Sequence, residues 1–241
     1  MENVFSELDG REFSESDVGV YSLGRLACED FLEVMVMADH GLGRAAVKLI
    51  RGLDERCVTS EFISRDGGEA LAFVRYYVVD VQKASKRAAR IYGKEKWADV
   101  SSERQKQLEE SFQKVKDSYR TEDCEKCGQA LQHGWTKLDL PSIARKVDAD
   151  AEALYLPMAN LTNPHIHASM FGFYLRYPTT SDGSFDLTSD QNCLVGDALM
   201  GIHTLLPLIL RTQSRHFGLN LEKSIKELGI EFHNAWRPNP A

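Results

Sequence analysis

Apolar residues recurring every three to four positions constrain this chain most, because that period places them on one face of a helix and leaves no room for the two-residue alternation of strands. Val47, Ile50, Leu53 and Cys57 follow this spacing, while Arg44, Lys48, Arg51 and Glu55 follow a four-three-four spacing on another face. No set of alternating runs separated by turn signals appears elsewhere, so the expected fold is all-α: a single multi-helix bundle with long antiparallel helices.

The same reading predicts helices over 22–39, with a stripe of Leu26, Cys28, Phe31, Leu32, Met35 and Val36, and over 42–63 and 69–92. Gly41 and Gly43 permit a tight turn, and Asp66-Gly67-Gly68 ends the second helix. Ser102 followed by Gln105 reads as a capping box opening a charged helix to about residue 121, with Leu108, Phe112, Val115 and Tyr119 inward. Pro141 suits the first turn of a short helix. A helix over 151–161 contains Pro157, and Thr162-Asn163-Pro164 predicts a stop and restart, with His165 and His167 in the first turns of the next helix, to about residue 177. A loop over 178–190 precedes a final core helix over 189–217. The expectation is one domain over residues 1–241, its core spanning about 20–217 between polar tails.

Charge and cysteine content exclude several classes. With 29 basic and 36 acidic residues the formal net charge is −7, which disfavours a chain that coats nucleic acid non-specifically. The most apolar stretch, 199–210, is interrupted by His203, Thr204 and Pro207 and falls short of the roughly 20 residues that span a bilayer. An acidic N-terminus without an apolar core does not read as a signal peptide, and five cysteines (Cys28, Cys57, Cys124, Cys127, Cys193) are too few for a disulfide framework. A cytoplasmic, reduced protein without a membrane partner is expected.

Three segments carry a family resemblance: Leu49-Ile50-Arg51-Gly52-Leu53-Asp54-Glu55; Trp135 followed by Ile143-Ala144 and Tyr155; and Leu161 through Asn163, Pro164, Ile166, His167, Ala168 and Ser169. Together they resemble an uncharacterised bacterial family of all-helical domains of unknown function, the 5677 type. Asn163 stands where Ser or Thr is expected, and Pro157 departs from the pattern of the preceding helix. That family is distantly similar to the HEPN helical domains, which include metal-independent ribonucleases carrying an arginine, four to six residues, then a histidine. The resemblance implies no agreed activity; it makes an RNA-acting or defence-related protein one reading and a non-catalytic scaffold binding a protein or small ligand the other.

Candidate site residues fall in three groups. Arg51 and Glu55 lie one turn apart between apolar flanks and require partners, His167 among them. They form either a polar site, with Arg51 holding an anion, Glu55 accepting a proton and His167 as acid or base, or a network fixing helix register. Arg211 and His216 fit the HEPN spacing, in which histidine activates a ribose 2′-hydroxyl and arginine stabilises the phosphorane; the alternative is a solvated helix end. Lys83, Arg87, Arg90 and Lys94 form a basic stripe at helical spacing, suited either to a phosphate backbone or to an exposed helix end. His203, four residues before Pro207, lines either a kinked pocket or the core. Cys124, Cys127 and His133 supply half of a zinc site without a second ligand pair, so metal binding there stays open. No motif demands a cofactor, and expected partners are RNA, a protein, or a second copy of the chain.

Overall fold

In a computed structural model the described residues are 5–93, 102–121, 131–167, 169–186 and 192–236. They form an all-α multi-helix bundle: α1 Glu15–Asp39, α2 Gly43–Arg65, α3 Gly67–Tyr92, α4 Ser102–Val115 with a 3₁₀ turn Lys116–Tyr119, α5 Leu140–Val147, α6 Ala149–Ile166, α7 Met170–Arg176, α8 Val195–Phe217 and α9 Glu222–Ala235. Among the described residues there is no strand, only the isolated bridges Arg120–Leu131 and Thr179–Phe185. No described helix is long and apolar enough to cross a membrane.

The predicted face of α2 is the heart of the core: Val47, Ile50 and Leu53 are fully buried and Cys57 nearly so, against Ala27, Cys28 and Val34 of α1 and Ile202, Leu205 and Ile209 of α8. Close packing of these three long helices depends on small residues. Gly24 of α1 faces Gln213 of α8, where a Cβ would fall 2.3 Å from the Gln213 carboxamide carbon. Gln213 is completely buried and donates to the Val20 carbonyl at 2.9 Å, so its side chain has nowhere to retreat. A second cluster joins Val58 of α2 to Ile143, Ala144, Tyr155 and Ala159 of α5 and α6. Trp135 joins this second cluster to a third, formed by Val20, Leu23, Ile63 and Ala70, its ring 6.0 Å from that of Phe62 and 5.4 Å from that of Phe73.

Four expectations need correction. Helix α1 starts seven residues earlier than read, at Glu15, because Ser14 and Asp17 form a capping box: the Ser14 hydroxyl accepts from the Asp17 amide at 3.2 Å and the Asp17 carboxylate accepts from the Ser14 amide at 2.9 Å. Its inner stripe runs through Gly19, Val20, Leu23, Gly24 and Ala27, so Leu26, Leu32, Met35 and Val36 are exposed although Cys28 is buried. The predicted break at Thr162–Pro164 is absent, and α6 runs through both prolines. A helical proline strips the donor from the carbonyl four residues back; here those belong to Ala153 and Asn160, both exposed residues rather than buried ones. Chain beyond 217 is not a polar tail: Leu219 and Ile225 are buried in the main core and α9 packs on α8. Before α1, Phe5 and Leu8 are buried in the same core.

Candidate functional site

Arg51 and Glu55 are brought together by the helical turn between them, at 3.0 Å from Arg51 Nε to Glu55 Oε1. Arg51 then crosses to α6, where its Nη2 donates to the Tyr155 hydroxyl at 3.0 Å and its guanidinium lies 5.1 Å from the ring centre. Burial works against the charge of Arg51, but the Tyr155 hydroxyl, Glu55 and Asp54 outweigh it and hold the guanidinium above its ordinary value. Residue Asp54, absent from the candidates above, is the unusual member. It is 1% exposed, its Oδ2 stands 3.7 Å from Arg51 Nη1, and neither carboxyl oxygen has a hydrogen-bond partner among the described residues. Burial pushes its carboxyl up to about 7; Arg51 opposes this and Glu55 adds to it. The sequence signal for Asp54 is its position: it occupies an apolar slot in the 47, 50, 54, 57 series of α2.

Neither predicted histidine joins this cluster. His167 is the exposed C-cap of α6, and His165 lies in that helix's last turn, nearer Arg44 and Lys48. They do not open a new helix; Ser169 caps the next one instead.

Asp54 and Cys57 form part of the wall of a half-open cavity of about 860 Å³ between α2, α6, α8 and α9. Its apolar surface comes from Val58, Leu154, Leu205, Leu208 and Ile225, with Pro207 bending in from α8. At one side Glu61 collects Thr212 Oγ1 at 2.5 Å, Arg65 Nη2 at 2.7 Å and Arg215. Burial raises the Glu61 carboxyl, but the hydrogen bonds from Thr212 and Arg65 and the charge of Arg215 outweigh it and leave a net lowering. Arg211 lines the same cavity and is exposed, with no hydrogen bond or ion pair among the described residues.

The structure does not bring Arg211 and His216 together. Five residues on one helix turn the side chains about 140° apart. His216 points to α1, where its Nε2 meets Asp17 Oδ1 at 2.8 Å and its ring lies edge-on to Phe217 at 4.7 Å. His203 is half-buried and, with Pro207, lines a smaller cavity of about 390 Å³ between α1, α8 and α9: Nδ1 pairs with the Leu199 carbonyl at 2.7 Å, and the ring stacks on Phe232 at 4.4 Å and 4°.

In the basic stripe, Lys83 is spent on the Tyr76 hydroxyl and the Gln132 carbonyl, above the Tyr76 ring. Arg87 and Arg90 are exposed, and Lys94 lies outside the described residues. Of the two tyrosines two turns before the stripe, Tyr76 is buried and Tyr77 is exposed, so only Tyr77 offers a ring to a base. Cys124 and Cys127 also lie outside the described residues, and His133 is exposed. Among the described residues no group of three or more His, Cys, Asp or Glu side chains is placed to hold a metal ion.

No curated protein and no solved structure matches the chain. One family does: its match covers residues 18–185, from α1 through α7, and thus includes Arg51, Asp54, Glu55 and Tyr155. The chain therefore belongs to DUF5677, a family of unknown function.

Proposed function

We propose that the chain is a helical binding protein whose cavity between α2, α6, α8 and α9 takes up an amphipathic small molecule with an anionic group. The observation that carries this reading is the cavity's make-up. Its volume of about 860 Å³ is in the range of small-molecule sites, and Arg211 stands beside its apolar wall without an intramolecular partner among the described residues. An apolar body would lie against Leu154, Leu205, Leu208 and Ile225, and the anion would pair with the Arg211 guanidinium. Asp54, its carboxyl raised to about 7 by burial, is only partly ionised at neutral pH, which lessens its repulsion of such an anion.

A ribonuclease built on Arg211 and His216 has less to stand on. Their side chains leave α8 in different directions, and His216 is committed to the capping box of α1 through Asp17. A mixed RNA pool incubated with the protein in EDTA is expected to stay intact; cleavage that disappears in Arg211→Ala or His216→Ala would replace the binding reading.

Titration with 8-anilinonaphthalene-1-sulfonate, an aromatic body carrying one sulfonate, tests the proposal. Saturable one-to-one binding is expected, weakened about tenfold in Arg211→Ala and weakened in Leu208→Trp, whose indole intrudes on the apolar wall. Unsaturable binding, or equal binding by Leu208→Trp, would refute it.

A further inference from the structure

At the opposite end of α2 from Arg65, a second cavity of about 450 Å³ gathers a nucleophile and several cations that the reading above does not use. Cys193, just before α8, is a free and partly exposed thiol. Arg44 Nε donates to its sulfur at 3.1 Å, and the same guanidinium holds a buried Nη1 with no hydrogen-bond partner among the described residues. Arg176 from α7 and His165 from α6 line the same space. Burial holds the His165 imidazole below its ordinary value, and the charges of Arg44 and Lys48 add to the lowering. Asp186 is the single carboxylate among the described residues lining the cavity.

The backbone holds the thiol in place. A Cβ on Gly43, the first residue of α2, would fall 2.3 Å from the Cys193 carbonyl oxygen and 2.4 Å from the Val195 amide nitrogen, so the start of α2 presses on the start of α8. Leu194 between them takes the left-handed conformation at φ 73°, and neither α2 nor α8 carries a side-chain N-cap. The residue whose sulfur accepts from the Arg44 guanidinium thus stands where the starts of α2 and α8 meet.

We infer that this cavity is a thiol–disulfide exchange site that selects disulfides bearing carboxylates, such as glutathione disulfide, through Arg44 and Arg176. The Cys193 sulfur, its proton released to solvent, attacks one sulfur of the incoming disulfide. A Cys193–S bond forms as the incoming S–S bond breaks, and the departing thiolate takes up a proton from solvent. One disulfide replaces another, so no further oxidant enters. Arg44 and Arg176 attract and orient the carboxylates of the reagent, a selection that added salt weakens.

The test compares 5,5′-dithiobis(2-nitrobenzoate), which carries two carboxylates, with neutral 4,4′-dithiodipyridine, modification of Cys193 being followed by peptide mass mapping. The ratio of the two rates at Cys193 is expected to exceed that of the urea-unfolded chain by about tenfold and to fall in 0.5 M salt. Arg44→Gln and Arg176→Gln are each expected to cut the ratio about threefold while the neutral reagent still reacts, which shows that the pocket remains folded. Arg176 sits on a short exposed helix, so its variant reports on selection without touching the core. A ratio equal to that of the unfolded chain, a folded Cys193 inert to both reagents, or a ratio unchanged in both variants would overturn the inference.

Discussion

Arg51 of α2 and Tyr155 of α6, 104 residues apart in sequence, meet through a 3.0 Å hydrogen bond and a guanidinium–ring contact at 5.1 Å. The bond ties two helices that wall the larger cavity, and it leaves Asp54 beside a cation without hydrogen-bonding it. Tyr155→Phe removes the hydroxyl and keeps the ring, so urea unfolding should show a loss of about 1 kcal/mol. Arg51→Met also removes the only cation within 4 Å of Asp54 among the described residues, and a larger loss is expected. Equal or negligible effects would show that the pair does not hold the helices together.

Asp54 makes stability depend on pH in a definite direction. Its folded value is about 7 against an ordinary 3.8, so between these limits the folded protein keeps a proton that the unfolded chain has released. Its contribution to stability therefore falls as pH rises from about 4 to 7 and is level above. Asp54→Asn lacks this term: its stability relative to the parent should improve from pH 5 to pH 8 by an amount on the order of 2 kcal/mol. Parallel stability curves for the two proteins across that range would contradict the burial argument.

Gly24 reports on a close approach between α1 and α8 in the core. With Gln213 fully buried and bonded to the Val20 carbonyl, Gly24→Ala forces α1 from α8 and should cost about 2 kcal/mol or more in chemical unfolding. Gly67, whose Cβ would meet nothing within 4 Å, serves as the control, and Gly67→Ala should be close to neutral.

His216 is assigned to structure. Its bond to Asp17 links the end of α8 to the capping box of α1, so His216→Ala should lower stability by about 1 kcal/mol and leave ligand binding in the cavity unchanged. Loss of binding without loss of stability would return His216 to the list of functional residues.

Much of this architecture is legible in the residues. The period of Val47, Ile50, Leu53 and Cys57 places α2 at the centre, Asp66 marks the end of that helix, and Pro141 marks a helix start; the structure keeps both. Other features are hidden by physics that a local reading does not contain. Leu26, Leu32 and Val36 look like a core stripe, but close packing favours the small residues of α1 on the inside. Pro164 looks like a break, but α6 runs through it, and the residue whose carbonyl loses its donor, Asn160, is exposed. The larger cavity is built from faces of α2, α6, α8 and α9 that only tertiary packing brings together, and α9 reads as a tail because a single amphipathic stretch does not announce what it will cover. Arg51 and Glu55 were visible as a pair; Asp54 becomes conspicuous only once its neighbours are known to be buried.

The most direct measurement is a methyl NMR titration of the full chain with 8-anilinonaphthalene-1-sulfonate. The account predicts shift changes concentrated on Leu154, Leu205, Leu208 and Ile225, weakened in Leu208→Trp. Shifts confined to the exposed apolar residues of α1, such as Leu26, Leu32 and Val36, with the cavity methyls unmoved, would contradict it.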